Sequence, residues 1–285
     1  MNLHPNVTGT VGNWSLANTL ADSSGNGLTL AALDGNTQHT PGGTVQYASL
    51  GTLTGFKFDG NTKLWAPLSA LLQITGDMTI QWIMYQVGTA SQTYFCCCDP
   101  AGRSGGASPD RTGSMFSWFW GSPNNPYYRN QNTGGGGGSG GATYGRFTAQ
   151  TQVWGVAAVH HYTFRRQVAA GGASATMSAF VDGVIVATDT TVWDGLDWLP
   201  NTSTGIERFF VGGYEGASVN LSTNSIMGGL VVTAAAIPPA TIGQRAFTAL
   251  GPATTSDTGI VYDAVAASQF AESLRLAPKS NPVKQ

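Results

Sequence analysis

Short runs of β-branched and aromatic residues, punctuated by Gly, Asn, Asp and Pro, dominate the chain. In Met78–Tyr85, Ile80, Trp82 and Met84 alternate with Thr79, Gln81 and Ile83, which is the period of a half-buried strand. Helical periodicity is nearly absent before residue 240. The pattern predicts an antiparallel, all-β chain.

One local signal also predicts how two strands connect. The run Met177–Ala187 contains Asp182-Gly183 between apolar segments. An Asp-Gly pair in this setting favours a two-residue hairpin turn. We therefore expect a hairpin that turns at these two residues.

Two stretches depart from the strand rhythm. Thr133–Ala142 is almost all glycine and predicts a flexible loop, either free in solvent or ordered against another subunit. Ser256–Leu276 is weakly amphipathic and predicts a short helix, followed by a mobile polar tail. We expect a sandwich domain over residues 1–250 and a C-terminal extension over residues 251–285.

Composition narrows the function classes. Only 10% of the 285 residues are charged and the net charge is −2, so the chain lacks the basic surface that duplex nucleic acid or an anionic membrane attracts. Hydrophobic residues make up 41%, enough for a core, and no apolar run approaches the roughly 20 residues of a membrane span. The 39 glycines fit a β-sandwich with many turns.

The cysteines and the N-terminus bear on the compartment. Cys96, Cys97 and Cys98 are contiguous, and neighbouring strand residues point to opposite faces, so we expect three reduced thiols that bind no metal. The first residues contain neither the basic nor the apolar stretch of a secretory signal peptide. Both features favour a protein made in a reducing cytosol.

Several segments, read in order over residues 14–240, resemble the laminin-G-like branch of the concanavalin A-like jelly-roll superfamily. They are Trp14–Leu30 with its Asp-Ser-Ser-Gly-Asn turn, Phe56–Gly60, Gly76–Trp82, Trp154–Val159 followed by Ala179–Gly183, Phe210–Gly213 and Gly228–Thr233. The resemblance implies one jelly-roll sandwich of two antiparallel sheets. Tryptophans inside these segments are expected in the core: Trp14, Trp82 and Trp154. Aspartates before Gly or Ser are expected to be turn residues rather than metal ligands: Asp22, Asp59 and Asp182.

The resemblance does not bring catalytic residues with it. The endoglucanase branch of this superfamily carries Glu-x-Asp-x-x-Glu on one strand, and the three glutamates of this chain, Glu207, Glu215 and Glu272, do not have that spacing. We therefore expect no enzyme activity and no catalytic residue.

Metal chemistry has no clear signal either. His160 and His161 are adjacent and would face opposite sides of a strand, while His4 and His39 stand isolated in the sequence. We expect no cofactor and assign no metal ligand. Many laminin-G-like domains bind calcium, so the resemblance leaves a calcium site open without assigning its ligands.

Aromatic residues beside polar ones point instead to recognition. Tyr127, Tyr128 and Arg129 follow a Pro/Asn-rich segment, and Trp193, Asp194, Asp197 and Trp198 form a second group, both interpreted as loops. Aromatic planes stack on the apolar faces of sugar rings, while Asp, Asn and Arg bond the hydroxyl groups. The same rings would equally serve to seal the sandwich edge or a subunit contact.

Two roles remain. One is a non-catalytic structural and recognition protein of a virus particle, a bacteriophage capsid decoration or tail protein, made in the host cytoplasm. Such a protein would contact other virion proteins and copies of itself as a homo-oligomer, and surface glycans, with no nucleic-acid or membrane partner. The alternative is an extracellular carbohydrate-binding or adhesion module of a cell-surface protein.

Overall fold

The computed structural model of the protein describes residues 4–33, 43–67, 74, 76–87, 92–98, 112–118, 126–132, 142–146, 158–192, 208–213 and 223–250. The chain divides into a unit of Met1–Gly251 and a unit of Pro252–Gln285, and every described residue belongs to the first. Across the described ranges the chain forms fifteen strands and one helix. The all-β prediction is therefore confirmed.

The strands form two antiparallel sheets. Sheet A has eight strands: β1 (Thr10–Trp14), β3 (Tyr47–Leu50), β4 (Leu53–Lys57), β6 (Met78–Tyr85), β11 (Val159–Val168), β12 (Ser174–Val181), β13 (Val184–Val192) and β15 (Ile226–Thr233). Sheet B has seven, in the spatial order β10 (Ala142–Arg146), β9 (Pro126–Asn132), β8 (Thr112–Trp118), β7 (Gln92–Cys98), β14 (Arg208–Val211), β5 (Lys63–Pro67) and β2 (Ala31–Leu33).

Aromatic side chains join the two sheets in the core. Trp82 of sheet A meets Phe95 of sheet B edge to face, with ring centroids 4.8 Å apart, and Trp14 stacks on Phe209 at 5.9 Å. The Trp14 indole N–H also donates a hydrogen bond to the carbonyl of Leu28 at 2.6 Å. Trp14 and Trp82 are almost fully buried, as predicted; Trp154 lies outside the described residues.

The predicted hairpin is present between β12 and β13. Val181 pairs with Val184, which leaves Asp182 and Gly183 as a two-residue turn. Their φ angles are +51° and +83°, the left-handed conformation that a type I′ turn requires at both positions.

Aspartates close two further turns, also as predicted. Asp22 Oδ1 accepts hydrogen bonds from the backbone N–H groups of Asn13 and Ser24, and its Oδ2 accepts one from Leu28. Asp59 Oδ1 likewise accepts hydrogen bonds from the backbone N–H groups of Asn61 and Thr62. Burial alone would raise the pKa of Asp22, but these donors outweigh it and leave the pKa below its usual value.

The expectation of a half-buried β6 is wrong, because both faces of the strand are covered. All its residues except Tyr85 are buried. On the face away from the core, Thr79 Oγ1 donates to the carbonyl of Ala235, and Arg245 Nη1 donates to Gln81 Oε1 at 2.5 Å. The segment that follows β15 therefore seals the outer face of sheet A.

That segment contains the one helix among the described residues, α1 (Pro239–Leu250). It begins at a proline, which suits the first helical position, and it turns Ile242 and Ala246 inward. The sequence did not predict this helix. The helix predicted within Ser256–Leu276 lies outside the described residues and stays a prediction. No described helix is both long and apolar enough to cross a membrane.

Candidate functional site

Sheet B separates its residues into two faces of different character. Ala32, Leu64, Phe95 and Phe209 lie on the face that packs into the core. The opposite, outer face carries a continuous row of residues that are paired from strand to strand across all seven strands. The row is Ala31, Trp65, Phe210, Cys96, Met115, Arg129 and Tyr144.

The outer face carries two aromatic residues on the neighbouring strands β14 and β5. Trp65 is half-buried and Phe210 is fully buried. A ring that is buried on the face away from the core shows that this face is sheltered at β14. Sheltered aromatic surface beside polar residues is typical of small-molecule binding clefts.

Four residues of β9 and β10 form two cross-strand pairs on this face. Tyr127 is paired with Arg146, and Arg129 is paired with Tyr144. Residues directly opposite each other in an antiparallel pair have Cβ atoms about 5 Å apart, and diagonal neighbours are about 7–8 Å apart. We call Tyr127, Arg129, Tyr144 and Arg146 the Tyr/Arg quartet. Two tyrosines and two arginines thus occupy neighbouring positions of one face, next to the sheet edge.

The register revises the first predicted recognition group. Tyr127, Tyr128 and Arg129 lie in strand β9 rather than in a loop. Because successive strand residues alternate, Tyr128 falls on the other face, paired with Phe116 and Gly145. The register therefore assigns Tyr128 to a different face from Tyr127 and Arg129.

The structure describes only some of the other predicted residues. Trp193, Asp194, Asp197 and Trp198 lie outside the described residues, as do the three glutamates and the glycine run between β9 and β10. Cys96–Cys98 form the end of β7, where the register puts Cys97 opposite the core residue Phe209 and Cys96 opposite Phe210. Their free-thiol state stays a prediction.

Sequence reasoning missed Tyr144 and Arg146. The segment Ala142–Arg146 follows the glycine run, and its alternating Tyr and Arg are too short a pattern to stand out. One sequence signal could have indicated these two residues. A glycine-rich connection between two polar and aromatic segments is typical of adjacent antiparallel strands, which would place Ala142–Arg146 beside β9.

A second cluster of chemically active side chains is buried on the outer face of sheet A. His4 Nε2 and His161 Nε2 are 2.9 Å apart, and the rings meet edge to face. His4, which stands isolated in the sequence, therefore has a histidine partner in the fold. His161 also donates its backbone N–H to Asp182 Oδ1, while the other carboxylate oxygen of Asp182 lies 2.7 Å from His160 Nδ1.

The histidine pair is held in the neutral state. Burial lowers the pKa of His4 to about 2, helped by the neighbouring His161 and Arg245. Burial also lowers the pKa of His161 to about 4, against the opposing effect of Asp182. In the part of the chain that the structure describes, no three His, Cys, Asp or Glu side chains are arranged to hold a metal ion. The His4–His161 contact is buried and joins the N-terminal segment to β11.

Comparison with known proteins identifies the fold. Neither a protein-family model nor a curated protein matches the chain. Many solved structures do match. Domain 4 of AbnA, an extracellular GH43 arabinanase from Geobacillus stearothermophilus, solved with arabinotriose, is 17% identical with a TM-score of 0.55; the match covers 83% of this chain and 98% of that one.

Two toxin structures match at similar levels. The binding domain of botulinum neurotoxin DC, solved in complex with SialylT, is 11% identical with a TM-score of 0.56, and the match covers 85% of this chain and 52% of that one. The binding domain of Paraclostridial Mosquitocidal Protein 1 is 13% identical with a TM-score of 0.56, and the match covers 85% of this chain and 53% of that one. The chain thus spans about half the length of the toxin chains. It has the all-β sandwich fold that these domains share.

Proposed function

We propose that this chain is a non-catalytic binding module that recognises glycans through the outer face of sheet B. The observation that carries the proposal is the register of β9 and β10, which assembles the Tyr/Arg quartet on the same face as Trp65. Sugar rings present apolar C–H faces to aromatic planes, and guanidinium groups donate several hydrogen bonds in a fixed geometry. The quartet supplies both at neighbouring positions.

The fold supports this assignment. Its structural neighbours include an arabinanase domain solved with arabinotriose and a toxin binding domain solved with SialylT. The sequence lacks the carboxylate spacing of the endoglucanases on this sandwich, which supports binding without hydrolysis.

A glycan array with the purified chain tests the proposal. We expect binding to a subset of glycans, with loss of at least tenfold in affinity on Tyr127→Ala and little loss on Tyr127→Phe, which keeps the ring. Tyr47→Ala is the matched control, because Tyr47 is a partly exposed tyrosine on an edge strand of the other sheet. Absence of binding to any glycan, or equal loss in the control, would overturn the proposal.

We propose further that the module acts within a virus particle, as a capsid decoration or tail protein that associates with virion proteins and with copies of itself. Low charge and contiguous cysteines, which suit assembly in a reducing cytosol, support this role. Sedimentation of the purified chain at increasing concentration should show a defined oligomer. A monomer at all concentrations, with glycan binding intact, would favour the extracellular adhesion module instead.

A further inference from the structure

The strands of sheet B carry basic residues on one face only. Their four charged residues are Lys63, Arg129, Arg146 and Arg208, and none of these strands contains an Asp or a Glu. The register places all four on the outer face. Arg129 belongs to the row that contains Phe210. The other three each lie two residues along a strand from a member of that row: Lys63 from Trp65, Arg208 from Phe210 and Arg146 from Tyr144. In the whole chain acidic residues outnumber basic ones, 15 to 13.

The arginines of sheet A show that this concentration is not a general feature of the fold. Arg165 Nε donates to the carbonyl of Ile237, and Arg166 donates to the carbonyls of Ile74 and Gly76. Both are committed to backbone acceptors at the borders of the core. Sheet A also carries an acidic residue, Asp189, on its edge strand.

Geometry within the quartet matches one ligand class. Arg129 and Arg146 are diagonal neighbours, each directly opposite a tyrosine. Diagonal positions of an antiparallel pair are about 7–8 Å apart. Two arginines at that spacing suit one carboxylate or two neighbouring ones, and arginine pairs with carboxylates through two parallel hydrogen bonds. The tyrosine opposite each arginine adds an aromatic ring on which a sugar can stack.

We propose that the quartet is selective for acidic glycans, in which a carboxylate-bearing sugar pairs with Arg129 and Arg146 while its ring stacks on Tyr127 or Tyr144. This rests on the proposed glycan-binding function and adds the ligand class. Lys63 is buried, so the selectivity lies with the quartet at the other end of the sheet.

The experiment uses matched ligands that differ only in charge. Trigalacturonate and sialyllactose are each compared with their own methyl ester, which removes the negative charge and keeps the sugar chain. Isothermal titration with the full chain at pH 7 in 50 mM salt measures each affinity. We expect at least one acid to bind ten times more tightly than its ester, a ratio that falls towards one in 500 mM salt because screening weakens the ion pair.

Variants locate the selectivity. Arg129→Gln and Arg146→Gln should each lower the acid affinity about tenfold and leave the ester affinity within twofold. Arg129→Lys keeps the charge but loses the paired hydrogen bonds, so it should recover only part of the loss. Lys57→Gln is the control, because it removes one positive charge from sheet A. Unchanged thermal unfolding confirms that each variant is folded.

The outcomes separate the two proposals. Equal affinity for acid and ester, or tighter binding of neutral glycans on the array, overturns the acidic selectivity and leaves glycan binding intact. Acid selectivity that survives both glutamine variants overturns the assignment to the quartet. No binding to any glycan, charged or neutral, overturns the proposed function itself.

Discussion

Mild acid should destabilise this protein, because of the buried histidine pair. His4 and His161 face each other through their Nε2 atoms, 2.9 Å apart. A hydrogen bond there needs one nitrogen without a proton. The first added proton is opposed by burial, and the second also by repulsion from the first and from Arg245. Lowering the pH therefore favours chains in which the pair has separated.

The size of the effect follows from His161. Its pKa is about 4 in the folded chain, against 6.5 for the free side chain. A group with a lowered folded pKa binds fewer protons in the folded state, so stability falls as the pH drops below the unfolded pKa and levels off below the folded one. For His161 alone this amounts to about 2 kcal/mol lost between pH 7 and pH 5. His4 adds to the loss in the same range unless the N-terminal segment detaches first.

Urea unfolding at half-unit steps from pH 7 to pH 5 measures this loss. The range stays above about 3.9, the ordinary pKa of an aspartate side chain. His161→Gln should reduce the loss of unfolding free energy between pH 7 and pH 5 by about 2 kcal/mol. Thr163→Val, a buried change two residues along the same strand, should lower stability at every pH and keep the wild-type slope. A wild-type stability that is constant from pH 7 to pH 5, or a His161→Gln slope equal to the wild type, would refute the reasoning.

Three further outcomes are expected. Gly183→Ala should lower the free energy of unfolding in urea by about 2 kcal/mol, because φ is +83° and the new Cβ would lie 2.6 Å from Gly243 Cα. Gly27→Ala is the comparison: its φ is +73° but the space around it is open, so it should cost about half as much. Asp22→Asn should cost about 1–2 kcal/mol, since the amide cannot accept all the backbone hydrogen bonds of the carboxylate, and an unchanged melting temperature would contradict this. Thiol titration of the denatured chain should find three free thiols at Cys96–Cys98, and finding one would reveal a disulfide.

Local signals in the sequence predicted much of the fold. The Asp182-Gly183 turn is encoded in two adjacent residues, and the large apolar rings of Trp14 and Trp82 have no favourable place except the core. These features depend on conformational preference and burial, which act within a few residues or without regard to a particular partner. They could therefore be inferred without knowledge of the strand order.

Features that depend on distant partners were not predictable in the same way. The His4–His161 contact joins residues 157 positions apart. The covered outer face of β6 arises from α1 and the segment before it, so Thr79 and Gln81 looked like solvent-facing residues. In β9 the adjacent tyrosines suggested one surface, whereas the strand register separates Tyr127 from Tyr128.

The candidate site and the buried polar contacts lie in different sheets, and this separation makes the candidate site testable. On sheet A, α1 and the histidine pair bury polar side chains and so contribute to stability. The quartet lies in sheet B, in β9 and the edge strand β10. Positions that share no partners contribute almost independently to stability. We therefore expect changes in the quartet to alter binding without loss of the fold.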